Sequence, residues 1–244
     1  MTSRHNADLG AGLVLAIETA GSACSAAVAR DGAIAAHDRR TMRHGHAEAL
    51  MPMIAAIADA AGVAPLDLDR VAVAVGPGGF TGIRAGIAAA QGIALAVDAA
   101  LIGVTCFAAV AAPLQLRGPG TAPLLVALDS RRAELYVQLF GAPGAPLSQP
   151  TALPPADLPD LIAASATGGR LIVAGDAAEI AAAALCNAVD AVVLPETAAD
   201  ARGVVAALRP EWRGGGVGPA APLYLRPPDV TLPKTPEPIA LGTG

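Results

Sequence analysis

Two α/β lobes related by duplication are the fold this sequence predicts, and three observations predict it. The order strand–strand–strand–helix–strand–helix–strand runs twice along the 244 residues. Each run opens on a short apolar strand that ends in an acid, Glu18 in the first and Asp129 in the second. Strands alternate with helix-length segments, the pattern of sheets whose faces are covered by helices. A chain of this length buries a sizeable core, as one large domain or two small ones. With 54% hydrophobic but only 2% aromatic residues, that core is built from Ala, Val, Leu and Ile.

In the first copy, residues 13–17 form a buried-type strand followed by a polar turn at 18–22. A second strand, 24–30, reaches Asp31-Gly32, a pair suited to two-residue hairpins because both positions there take positive φ. Residues 33–37 close the meander. A helix follows over 46–61, a strand over 71–75, a helix over 82–97, a short strand over 101–104 and a helix over 107–114. In the second copy, strands at 124–128 and 133–140 precede a looser third after the turn at 141–146. A helix over 155–166, a strand over 171–174, a helix over 177–188, a strand over 191–194 and a helix over 200–208 complete it. The first lobe is expected over 11–115 and the second over 116–226. Residues 1–10 and the proline-rich 227–244 read as disordered or flexible tails, too poor in apolar residues for a core. Residues 214–216, three glycines after Trp212, read as a flexible connection.

The net charge is −5 with a single lysine, Lys234, a poor balance for stand-alone nucleic-acid binding. Arg39, Arg40 and Arg43 cluster where a solvated helix entrance is expected. Cys24, Cys106 and Cys186 lie far apart, which fits a reducing cytoplasm, and the first two sit among alanines as inert core thiols. The first ten residues lack the apolar core of a secretion signal. Asp98 interrupts the apolar stretch that begins after Arg84, and Pro113 and Gln115 punctuate the next, which argues against a membrane span of about 20 residues. His44 and His46 are two apart, whereas a helical zinc pair needs three or four. No metal site is expected, and His46 reads as a cap or packing residue.

Residues 71–97, VAVAVGPGGFTGIRAGIAAAQGIALAV, carry the most information. Gly76, Gly78 and Gly79 accept backbone angles other residues resist, and Pro77 fixes its own φ. Phe80 and Thr81 follow, Thr81 as the expected N-cap, then Arg84. Gly82, Gly86 and Ala90 fall four apart, so one helix face is nearly bare. Such a face is either a docking surface or a tight seam against the chain's own sheet. A P-loop lysine is missing, and the Gly-x-Gly-x-x-Gly spacing fails by one residue at Gly82. A dinucleotide module at 76–82 with Asp98 as ribose acid is therefore a minor alternative.

The doubled unit is the ground plan of the ribonuclease H-like actin, sugar-kinase and Hsp70 class, where nucleotide binds between lobes. The corresponding turns here are Glu18-Thr19-Ala20-Gly21-Ser22 and Asp129-Ser130-Arg131-Arg132. The second has no glycine to admit a phosphate and puts two arginines in its way, so the nucleotide cleft is degenerate. An ATP-dependent small-molecule kinase or ATPase using Glu18 and Asp129 around magnesium is the alternative function. The bland alternative is that both acids cap strand ends or pair with arginine.

The stretches at 13–32, 46–54, 74–111 and 127–140, with GPGGFTGIR at their centre and a weaker fifth at 222–230, resemble the bacterial TsaB (YeaZ) family in order and content. The resemblance implies a non-catalytic scaffold or dimerisation subunit of the tRNA N6-adenosine(37) threonylcarbamoyl transferase complex. A TsaD-like partner would catalyse transfer from threonylcarbamoyl-AMP, and a TsaE-like ATPase would join the pair. ATP and magnesium would sit on those partners, with no cofactor on this chain and tRNA reached through the complex. The family's helical-bundle interface, hetero- or homodimeric, maps onto His46, Leu50, Gly82, Ile83, Gly86 and Ala90. Glu18 stands where the family commonly has aspartate.

Overall fold

The apolar runs become strands in the order the sequence predicts. The computed structural model describes residues 9–42, 44–117, 122–141, 144–165, 169–195 and 197–226; Arg43, nearly all of the expected N-terminal tail and the whole of 227–244 lie outside them. The first copy gives β1 (Leu13–Glu18), β2 (Ala23–Arg30), β3 (Ala33–Thr41), α1 (His46–Ala61), β4 (Arg70–Ala74), α2 (Phe80–Val97), β5 (Ala100–Val104) and α3 (Cys106–Leu116). The second gives β6 (Leu124–Asp129), β7 (Leu135–Phe140), β8 (Thr151–Leu153), α4 (Leu158–Ala164), β9 (Arg170–Ala174), α5 (Ala178–Leu185), β10 (Asp190–Val193) and α6 (Ala201–Ala207). A two-residue strand, β11 (Val217–Gly218), closes the series.

The two sheets correspond strand for strand, β5-β4-β1-β2-β3 against β10-β9-β6-β7-β8. In both, the first strand pairs antiparallel with the second and parallel with the strand after the first helix. Asp31 (φ 51°) and Gly32 (φ 75°) make the expected hairpin turn. Helices α1 and α2 cover one face of the first sheet, and α4 and α5 the outer face of the second. Between the sheets lie α3 and α6, packed on each other. Every α3 residue from Cys106 to Ala112 is buried, as a helix with a sheet on either side must be.

The helices between the sheets are exchanged between the expected lobes, 11–115 and 116–226. α3 leaves the first sheet and packs on β6 and β7, whereas α6 returns to β1, β2 and β4. Asp200 caps α6, accepting from the Arg202 N–H at 2.8 Å, and the Ser25 hydroxyl accepts from the Ala201 N–H at 3.0 Å. His37 at 3.2 Å and Arg39 at 3.7 Å bracket the Asp200 carboxylate from β3. Burial alone would raise this carboxyl, but hydrogen bonds from Arg202 and the nearby charges hold it below its ordinary value. At Gly203 a Cβ would lie 1.9 Å from the Ala109 carbonyl oxygen, so the backbones of α6 and α3 touch.

Three expectations are corrected. Arg39 and Arg40 lie on β3 rather than at a helix entrance, because the strand runs on to Thr41. α2 begins at Phe80 with Gly79 as its N-cap and no side-chain bond, so Thr81 sits inside the first turn and caps nothing. Residues 214–216 are held in place: the Gly216 carbonyl accepts from the Thr105 N–H at 2.7 Å, and Trp212 Nε1 donates to the Gly215 carbonyl at 2.8 Å. The chain then crosses the first sheet, β11 pairing with β5 and the Leu223 N–H reaching the Val75 carbonyl at 2.7 Å.

The bare face of α2 is a seam within the chain, not a docking surface. Gly82, Ile83, Gly86 and Ala90 are buried, as is Leu50 of α1, which faces the sheet. A Cβ on Gly82 would lie 2.0 Å from the Thr19 carbonyl oxygen, and one on Gly86 2.3 Å from Thr19 Oγ1. The Thr19 hydroxyl donates to the Gly82 carbonyl at 2.8 Å, fastening the turn after β1 to the helix. α2 is long and apolar enough by length and composition to cross a membrane, a test that core helices also pass.

Alanine favours a helix interior over glycine by about 1 kcal/mol. Overpacking of a tight seam costs about 1–3 kcal/mol or more. Gly82→Ala therefore destabilises the fold by about 2 kcal/mol net, and Gly86→Leu yields mostly unfolded or insoluble chain. Urea unfolding of Gly82→Ala and solubility of Gly86→Leu check this; wild-type stability in both variants refutes the seam.

Candidate functional site

The turns that follow β1 and β6 face each other across the space between the lobes. The turn after β4 joins them, with Gly76 at φ 104° and a Gly76–Pro77 peptide in the cis form. Its Gly79 N–H donates to the Ala20 carbonyl at 2.8 Å, and a Cβ on Gly78 would lie 2.3 Å from that same oxygen. The remaining cavity, lined among others by Gly78, Cys106, Asp129, Ser130, Arg131 and Asp176, is about 50 Å³. Small-molecule pockets run to ~300 Å³ and more. Arg131, in a left-handed conformation (φ 59°), reaches across the lobes and donates from Nη2 to the Gly21 carbonyl at 3.3 Å.

The two acids at matching strand ends differ in setting. Glu18 is fully buried and does not line the cavity; its Oε1 accepts from the Ala20 and Gly21 N–H groups at 2.7 and 2.9 Å, and Oε2 has no partner. Burial pushes its pKa up from 4.5 to about 7, against those two hydrogen bonds. Asp129 is exposed and lines the cavity, its Oδ1 accepting from the Arg131 N–H at 2.6 Å. The Asp129 N–H donates to Asp176 Oδ1 at 2.9 Å; Asp176 is exposed, yet partial desolvation of its carboxyl raises it above its ordinary value. The structure does not bring Glu18 and Asp129 together in one cavity. Among the described residues no group of three or more His, Cys, Asp and Glu side chains could hold a metal ion. Burial raises both core thiols, Cys24 to about 11, which fits inert packing residues. Asp98 caps the far end of α2, ~27 Å along the helix from the glycine turn, too far for a ribose acid.

A larger concavity, about 520 Å³, opens outward between the starts of α1 and α2. His44, His46, Glu48, Phe80, Thr81 and Arg131 are among its lining residues. His46 opens α1 as expected, half-buried, its Nε2 without a hydrogen-bond partner. At the rim, Phe80 stacks on Tyr224 with ring centroids 5.2 Å apart. The Arg84 guanidinium lies 3.7 Å over the Phe80 ring, and its Nε donates to the Tyr224 hydroxyl at 3.1 Å. Nothing in the sequence pairs Tyr224 with Phe80; only the crossing of 217–226 over the sheet does so.

The outer faces of α1 and α2 form a second surface. A groove of about 160 Å³ between them is lined by apolar residues alone, including Leu15, Val28, Met51, Ile54, Ala55 and Ile93. Met51, which lines this groove, is 50% exposed, and Leu95 of α2 is 86% exposed. Other exposed residues of α2 include Ala88, Gln91 and Gly92. The small-residue face expected to dock is packed inside the chain, because small residues mark close approach without saying by what.

Comparisons with known proteins agree with this architecture. A family model described as TsaD, tRNA N6-adenosine threonylcarbamoyltransferase, matches residues 40–147. The tRNA threonylcarbamoyladenosine biosynthesis protein TsaB of Escherichia coli is 38% identical over 123 residues, 50% of this chain and 52% of that protein. The chain thus spans about half the length of such curated relatives. Among solved structures, an uncharacterized Pseudomonas aeruginosa protein with similarity to peptidase YeaZ superposes with a TM-score of 0.71 at 26% identity, over 88% of this chain and all of that one. An ADPNP-bound activator of 2-hydroxyisocaproyl-CoA dehydratase from Clostridium difficile shares the two-lobed fold alone, at TM-score 0.51 and 10% identity over 80% of this chain and 92% of that one.

Because the folded Glu18 carboxyl holds its proton to higher pH than the unfolded one, the native state binds more protons between pH 4.5 and about 7. Its contribution is therefore fully present below the unfolded pKa and lost as pH rises through the folded one, on the order of 3 kcal/mol. Glu18→Gln keeps the acceptor for both N–H groups and removes this dependence. The urea midpoint of the wild type should fall from pH 5 to pH 8 by more than that of the variant; an equal fall in both refutes a titrating Glu18.

Proposed function

Because this chain is a TsaB/YeaZ family protein, we propose that it is the accessory subunit of a tRNA threonylcarbamoyladenosine machinery. It pairs with a TsaD-like catalytic subunit in the cytoplasm and supports transfer from threonylcarbamoyl-AMP to tRNA without performing that chemistry. The observation that carries this reading is the cleft: about 50 Å³ remains where related folds hold a nucleotide, and Arg131 is bonded across it. A chain that keeps the two-lobed frame while filling its cleft serves through its surface.

The surface that serves is the outer layer of α1 and α2. Its apolar groove and exposed Met51 and Leu95 offer area to bury, and Ala88 and Gly92 let another helix come close. ATP and magnesium belong on the TsaD-like and TsaE-like partners, and tRNA is met through the complex. A homodimer through the same face is the competing pairing when the partner is scarce.

Met51→Arg and Leu95→Arg should each weaken the heterocomplex ~10-fold or more, by placing a charge in a desolvated contact. Neither should alter the thermal midpoint of the isolated chain. Gel filtration with a TsaD-family partner reads the first, and tRNA modification reconstituted with and without this chain reads the activity. Micromolar binding of Mg-ATP by the chain alone, in titration calorimetry, would favour the kinase alternative instead.

A further inference from the structure

We infer that the Phe80–Tyr224–Arg84 stack is a second docking point, built to receive an acidic segment of the catalytic partner protein; this rests on the docking role proposed above. The chain has 3 Phe, 2 Tyr and 1 Trp. Phe107, Phe140, Tyr136 and Trp212 are buried, whereas Phe80 and Tyr224 are each 40% exposed even after stacking on one another. A chain so poor in aromatic residues leaves these two on its surface, side by side, although 144 positions separate them.

The arginine between them gives the surface its chemistry. Arg84 spends Nε on the Tyr224 hydroxyl and its planar face on Phe80, so the outer edge of the guanidinium is oriented, and it forms no ion pair among the described residues. An oriented guanidinium edge matches a carboxylate in two parallel hydrogen bonds. Arg131 also lines the adjoining 520 Å³ concavity, and Glu48, the one acid among its lining residues, has its Oε2 beside Gly45. Tyr, Phe and Arg around a concavity are the residue types that dominate protein–protein contacts. RNA phosphate would suit the same arginines, but a chain of net charge −5 with one lysine repels a polyanion beyond the immediate patch. An acidic protein segment is therefore the occupant the charges favour.

The test measures the dissociation constant of the full-length chain with its TsaD-family partner at low and physiological salt, alongside crosslinking to tRNA in the assembled complex. Arg84→Ala and Arg131→Ala should each raise the constant ~10-fold at low salt and flatten its salt dependence, since a lost charge pair acts chiefly there. Arg84→Lys should recover only part, because an ammonium cannot form the fork. Phe80→Leu, which keeps apolar volume, should weaken binding while hydrogen exchange at 217–226 stays as in wild type. Binding by the arginine variants within twofold of wild type, with Met51→Arg still disruptive, overturns this inference and leaves the helix interface standing. Unchanged partner affinity with lost tRNA crosslinks overturns it in favour of RNA. Absence of any wild-type complex removes both readings.

Discussion

The contact on which the rest of the structure depends is the backbone-to-backbone approach of the turn after β1 to the first two turns of α2. Thr19 can reach the Gly82 carbonyl, and the Ala20 carbonyl the Gly79 N–H, only because no Cβ stands at positions 78, 82 and 86. Side-chain packing normally holds helices at 8–10 Å from their neighbours; here main chain touches main chain. That closeness draws the turn into the space between the lobes and spends the small-residue face of α2 on the fold, leaving the opposite face exposed.

Duplication sets the frame around that contact, and exchange of the helices between the sheets locks it. α3 is buried on every side between the two sheets, and α6, started by Asp200 and tied to Ser25, His37 and Arg39, fills the layer beside it. The near-touch of Gly203 and Ala109 leaves no slack between those helices. Alanine-rich helices and an arginine bridge occupy the space between the lobes, and each lobe carries part of the other's core.

Most of this frame was legible in the sequence. Strand runs, the hairpin at Asp31-Gly32 and the repeat order follow from local periodicity and turn chemistry, which depend on neighbours only. What was not legible depends on distant partners. A Gly82–Gly86–Ala90 stripe is the same sequence whether its neighbour is a turn of its own chain or a second molecule, so its burial against Thr19 could not be read from it. The glycines at 214–216 permit flexibility, but their fixation comes from Thr105 and Trp212, and no pattern announces that pairing. The strand extension through Arg39 and Arg40 was hidden by its charges, which pair with Asp200 and Asp38 at an edge where charged side chains are tolerated.

The matching acids show how a catalytic-looking pattern can arise from turn chemistry. In both copies the carboxylate at the end of the first strand accepts from the N–H two residues on, Glu18 from Ala20 and Asp129 from Arg131. This local bond turns the chain out of the sheet and is favoured wherever a short acid precedes a turn. In the second copy aspartate does it from the surface. In the first, the longer glutamate reaches back with one oxygen while the other is sealed among apolar neighbours. An ionised carboxylate with an unsatisfied buried oxygen is costly, so the site holds its proton toward neutral pH. Ligation of a divalent ion asks for the reverse, an ionised group open to the cleft. The geometry that makes Glu18 a good turn-former thus also buries its carboxyl away from the cavity between the lobes, whereas Asp129 lines it.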